Sequence, residues 1–92
     1  MSRLLNPDEI NRQLSESWSV SDVLSATFEF DDFAGSLAFV DKIGAEAESM
    51  NHHPDIDIRW NKVVLTLSTH DVGGITQLDV ELARRADQLF AD

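Results

Sequence analysis

The sequence predicts an α+β fold in which a four-stranded antiparallel sheet carries three helices packed on one face, in the order αββαββα. Three observations point to it. Two stretches alternate apolar and polar residues with period two, and each divides into two strands joined by a link short enough for a hairpin. Three other stretches repeat apolar residues every three or four positions behind capping residues. The two patterns take turns along the chain, so the helices must share the sheet's apolar side. At 92 residues, one domain over residues 1–92 with a single core is expected.

The first helix is read over residues 5–14, "LNPDEINRQL". Asn6 can cap it, Pro7 suits the first helical position and Glu9 completes a capping box. Two strands follow, near residues 18–21 and 23–30, the second with Leu24, Ala26, Phe28 and Phe30 on one side. Asp31 or Asp32 then caps a helix to about Met50, with Phe33, Leu37, Val40, Ile43, Ala47 and Met50 as its core stripe. Gly35 and Gly44 weaken that helix by about 1 kcal/mol each relative to Ala unless close packing requires them. Pro54 pushes His53 out of the helical region and stops the helix. Ile56, Ile58 and Trp60 alternate with Asp55, Asp57 and Arg59, a strand with one dry and one wet face. Asn61-Lys62 reads as a two-residue hairpin turn into "VVLTLSTH". Thr76 and Asp79, at capping-box spacing, open a last helix whose stripe is Leu78, Leu82, Ala86 and Leu89.

Composition narrows the function. Seventeen acidic against seven basic residues give a formal charge of −10, which phosphate backbones repel, and no basic stripe offsets it, so direct nucleic-acid binding is not expected. No apolar run approaches the roughly 18–20 residues that cross a bilayer. The first residues, "MSRLLNPDE", fall short of a secretory apolar segment. There is no cysteine, hence no disulfide, thiolate metal site or cysteine nucleophile, and a cytoplasmic setting is expected. A chain this short buries only roughly 60–65% of its unfolded surface. Burying a further face in a homo-oligomer would compensate.

The chain has three histidines. His52 and His53 sit side by side before Pro54, between the second helix and the third strand, and His70 closes the fourth strand. If Asn61 and Lys62 are the turn, Trp60 pairs with Val63, and counting outward sets His53 opposite His70. All three imidazoles then border one end of the sheet, with Glu48 arriving from the last helical turn. Imidazole gives and takes protons near neutral pH, so such a trio can supply an acid and a base. By spacing alone a polar helix terminus or a three-histidine metal site fits as well. Glu46 and Glu48 stand at a helix C-terminus, where acid is mildly unfavourable.

Glu48, His52-His53-Pro54, Trp60, His70 and Asp79 at these intervals resemble the signature of the pterin-4a-carbinolamine dehydratases. "WNKVVLTLSTH" (60–70) is similar to that family's YNKV-x-x-TLSTH, and "DVELA" (79–83) to its DVxLA. Trp18 and the set Phe28, Phe30, Asp32, Phe33 and Phe39 match as well, so the resemblance spans nearly the whole chain. It implies the four-stranded sheet with three helices on one side, and dimers or dimers of dimers. It also implies an activity, loss of water from 4a-hydroxytetrahydrobiopterin to give the quinonoid dihydropterin. Pterin is then the substrate, with no cofactor and no metal. By the same resemblance His52 and His70 are the acid–base pair, and His53 orients the ring or shares in proton transfer. Glu48 sits beside the histidines and counts among the substrate-binding residues. Asn51, Pro54, Ser68, Thr69 and Asp71 line the substrate pocket, and Asp79 supports it from behind as a helix cap. Some members also act as dimerisation partners or regulators of transcription factors, which stands as the alternative and does not exclude the enzyme. Two departures are visible. Ile56 stands where many members have an aromatic, and Trp60 replaces a commoner Tyr, changes that bear on pterin stacking rather than on proton transfer.

Overall fold

The computed structural model describes residues 3–92. Asn6, in extended conformation, accepts the Glu9 N–H at 2.9 Å while the Glu9 carboxylate accepts the Asn6 N–H at 3.0 Å, so the capping box is complete. The helix it opens, α1 (Pro7–Asn11), is shorter than the expected span and buries only Ile10. A helix of this length is marginal by itself, so its capping box and the burial of Ile10 hold it together.

Strands β1 (Ser19–Val20) and β2 (Leu24–Glu29) form a tight antiparallel hairpin with Val20 opposite Leu24. In β2, Leu24, Ala26 and Phe28 are buried. Helix α2 (Phe33–Met50) is capped by Asp32, whose side chain accepts the Gly35 N–H at 2.8 Å. Its buried line is Ser36, Phe39, Ile43 and Ala47. The expected stripe is therefore corrected at its start, where Phe33 and Leu37 are exposed while Val40 and Met50 are half-buried. The Ser36 hydroxyl donates to the Trp60 carbonyl at 2.8 Å and so turns this end of the helix toward the neighbouring hairpin. Gly35 has a packing reason, since a Cβ there would sit 3.1 Å from the Phe30 Cβ; Gly44 has none.

Strands β3 (Asp55–Arg59) and β4 (Lys62–Leu67) pair antiparallel with Arg59 opposite Lys62. The turn is thus Trp60-Asn61 and not Asn61-Lys62. Trp60 takes the positive φ, 49°, because Asn61 is tied to the end of β2: the Phe30 N–H donates to its carbonyl at 2.8 Å and its amide donates to the Phe30 carbonyl at 3.1 Å. The register moves by two residues, so the direct pairing of His53 with His70 is not formed. A two-residue shift returns every side chain to the same face, so the sidedness of the hairpin is unchanged.

The sheet order is β1-β2-β4-β3, which puts β4 in the interior with Leu24 opposite Leu67, Ala26 opposite Leu65 and Phe28 opposite Val63. This face packs with Ile10 of α1 and the buried residues of α2 into one core. Helix α3 (Gln77–Ala91) completes it with Val80, Leu82, Ala83 and Ala86. The expected stripe on α3 is corrected too: Leu78 is exposed and Leu89 half-buried, because Asp79 is drawn fully inside. On β3 the anticipated dry face is not dry. It is an edge strand, and Ile56 is 38% and Trp60 64% exposed. Among the described residues no helix is long and apolar enough to cross a membrane.

Candidate active site

The end of α2 fixes the first two histidines. Asn51 adopts a left-handed conformation (φ 51°) and its N–H donates to the Glu48 carbonyl at 3.2 Å, while the His52 N–H donates to that of Ala47 at 3.1 Å. That bond pair is a Schellman motif, which Asn accommodates because its short polar side chain tolerates positive φ. The helix therefore ends at Met50, short of Pro54, and the backbone of His52 is itself part of the stop.

A tight loop carries the third. Beyond β4, Thr69 bridges to Gly74, its N–H donating to the Gly74 carbonyl at 2.8 Å, and its own carbonyl accepts from Val72 at 3.2 Å and Gly73 at 3.0 Å. His70 lies on this loop and is exposed. Residues 51–55 and 68–71 are the two walls of a cleft of about 470 Å³ that all three histidines border. That volume lies in the range typical of small-molecule sites.

The three rings have different surroundings. His52, with a side chain only 10% exposed, contacts through Nε2 the Oδ1 of the fully buried Asp79 at 2.6 Å. His53 meets the Glu48 carboxylate through its Nε2, and both side chains are solvent-exposed. His70 makes no side-chain hydrogen bond among the described residues. Chemically, one imidazole is held rigidly, one is paired at the surface, and one is free to follow a bound molecule. Proton transfer in two places on one ligand is within reach of such a set.

Of the anticipated residues, Asn51, His52, His53, Pro54, Ser68, Thr69, His70 and Asp71 all line this cleft. Glu48 does not line it and reaches the site only through His53. Thr69 lines it with its hydroxyl turned inward, 2.7 Å from Asp79 Oδ2 and 2.8 Å from the Thr76 hydroxyl. Asp79 lies behind the cleft, as its place in the signature implied. Two residues escaped the sequence reading. Asp55 lines the cleft, and its position directly after His-His-Pro was the available signal. Thr76 gave only its capping signal, and nothing local to it announces the contact with Thr69. Among the described residues no three His, Asp or Glu side chains are arranged to hold a metal ion.

Comparison with known proteins assigns the chain and its fold to a lineage. The sequence model of the family described as pterin 4 alpha carbinolamine dehydratase matches residues 3–89. The chain belongs to the pterin-4a-carbinolamine dehydratase family. Its relatives in that family include a Thermosynechococcus vestitus protein, provisionally named a pterin-4-alpha-carbinolamine dehydratase. The two are 49% identical over 91% of this chain and 92% of the relative. Among solved structures, a transcriptional coactivator/pterin dehydratase from Brucella melitensis superposes with a TM-score of 0.88. It is 29% identical and is covered to 98%, against 95% of this chain. A pterin dehydratase-like protein identified as a RuBisCO assembly factor in the alpha-carboxysome superposes with a TM-score of 0.67. It shares 26% identity over 82% of this chain and 88% of its own. The pterin dehydratase fold is thus the fold of this chain. The description of the family and the names of its members support pterin carbinolamine dehydration as the activity.

Proposed function

We propose that this chain is a lyase that removes water from a 4a-hydroxytetrahydropterin, 4a-hydroxytetrahydrobiopterin by resemblance, using imidazole acid–base chemistry without a cofactor. In the reaction one group protonates the hydroxyl leaving C4a, another takes the N5 proton, and the N5–C4a double bond forms. His52 and His70 are the pair offered for these transfers, with His53 orienting the heterocycle or sharing a proton. The observation that carries the reading is the convergence of all three imidazoles on one cleft in a chain of this family.

Synthetic 4a-hydroxytetrahydropterin tests it. His52→Ala and His70→Ala should each lower the dehydration rate by roughly 100-fold or more, the scale of positioned acid–base catalysis, with unchanged far-ultraviolet circular dichroism. Wild-type rates in both variants would remove the assignment.

Two observations favour an associated state. Phe33, Leu37, Ile56 and Trp60 are exposed, and β3 is a sheet edge with one ladder. Exposed apolar residues together with a free strand edge mark an interaction surface, and a homo-oligomer, dimer or tetramer, is the occupant we propose. The regulatory alternative uses the same surface for a protein partner, in the manner that the names of the two structural relatives bring to mind. A stoichiometric partner that still binds the His52→Ala protein would favour it.

A further inference from the structure

Behind the cleft lies a closed chain of polar groups whose proton directions can be deduced. Asp79 is fully buried. Its Oδ1 faces His52 Nε2 at 2.6 Å, and its Oδ2 accepts the Thr76 N–H at 2.9 Å and lies 2.7 Å from the Thr69 hydroxyl. The Thr69 and Thr76 hydroxyl oxygens are 2.8 Å apart, and that of Thr76 also accepts the Leu78 N–H at 3.2 Å.

A hydroxyl has one proton, and an ionised carboxylate only accepts. With Asp79 ionised, Thr69 donates to Oδ2, Thr76 donates to Thr69, and the Leu78 N–H fills the acceptor site left on Thr76. Every proton and every lone pair facing the network is matched. The reverse polarity needs a proton on Asp79 donating to Thr69 and Thr69 donating to Thr76. The Thr76 proton then has no acceptor among the described residues, inside a site where an unmatched group is costly. A proton on Oδ1 would leave this hydroxyl chain unchanged. The two donors on Oδ2, the Thr69 hydroxyl and the Thr76 N–H, however match an ionised carboxylate, whose Oδ1 then accepts from a proton on His52 Nε2.

We infer that Thr69 and Thr76 are positioning residues, whose hydroxyls polarise Asp79 so that His52 is held as the Nε2–H tautomer with Nδ1 alone open to the cleft's ligand. Any proton that His52 exchanges passes through Nδ1. The consequence for turnover rests on the dehydratase reading, whereas the tautomer does not. The role of Thr69 is thereby shifted from touching substrate to orienting a ring that does.

Imidazole nitrogen NMR of the full chain, recorded upward in pH until the rings are neutral, decides the tautomer directly. The expected His52 spectrum has a protonated Nε2 and a bare Nδ1; the opposite pattern in the wild-type protein overturns the inference. Thr69→Val keeps the shape but removes one of the two donors to Oδ2, so a proton can sit on Oδ1 part of the time and the His52 tautomer should become mixed; Thr69→Ser should restore the single one. In the dehydration assay Thr69→Val should lose roughly 10–100-fold in kcat with little change in KM, the scale seen when a working histidine loses an outer partner. Thr69→Ser should recover most of it. A Thr69→Val ring that keeps the wild-type tautomer, or unaltered kcat beside a mixed tautomer, would sink the positioning role. A chain with no dehydratase activity would sink the proposed function instead, and the wild-type spectrum would still be readable.

Discussion

Glu9 shows how one half-buried carboxylate can tie down a weak element. The Arg3 guanidinium, and after it the Asn6 N–H, hold the Glu9 carboxyl down from the ordinary value of about 4.5 to about 2. Arg3 meets it with two nitrogens, at 3.1 and 2.7 Å. A depressed acid stabilises the folded state above its unfolded pKa, and that contribution disappears as pH falls through the folded one. Between about pH 4.5 and about pH 2, therefore, the start of α1 should loosen, visible as faster amide exchange at Glu9 and Ile10. Glu9→Gln should show the looser helix at neutral pH and lose the dependence in that window. At the same scale, two of the three histidines are paired with a carboxylate, and they differ in what a partner can do. Glu48 beside His53 is in water and screened, whereas Asp79 beside His52 is enclosed and directional.

At the scale of elements, the site is made by ends. Helix α2 has no basic residue in its last turn, and the acids there are answered from elsewhere: Glu46 by Arg85 of α3 at 3.1 Å, Glu48 by His53. What places His52 is the left-handed Asn51 between the helix and Pro54. Ala at that position meets the left-handed strain that Asn and Gly avoid, about 1–2 kcal/mol. Asn51→Ala should accordingly lower the unfolding free energy by about 1 kcal/mol, while Asn51→Gly should cost less, as measured by denaturant titration. The sequence displayed this junction clearly through Pro54. It did not display the hairpin turn, because Asn61 looks like a turn residue at either register. The hydrogen bonds between Asn61 and Phe30, a strand away, select the one that forms.

For the whole molecule, an 18-residue helix and an edge strand leave apolar groups facing solvent in a chain whose core is small. The stripe read from α2 combined two sides of the helix: Ile43 and Ala47 are core, and Phe33 and Leu37 are surface. Periodicity alone cannot separate these, since apolar residues that meet a partner chain repeat as core residues do. If this surface joins copies of the chain, sedimentation equilibrium should give a multiple of the 10.3 kDa chain mass. Phe33→Glu with Leu37→Glu should then shift the population toward the monomer without unfolding it. A wild-type protein that stays monomeric at high concentration would leave that surface to a different partner.

The order of elements, their caps, the chemistry-bearing residues and the family were all determined by local pattern, because capping, periodicity and signature spacing are properties of neighbours in the chain. The tertiary structure decided three things that depend on distant neighbours. It set the register of the second hairpin through Phe30, the side of each helix that turns inward through Ser36 and Asp79, and the joining of Thr69, Thr76 and Asp79 behind His52. Asn61 with Phe30, Ser36 with Trp60 and Asp79 with His52 are each hydrogen-bonded across 24 to 31 residues of sequence, and only the closed fold brings those ends within reach.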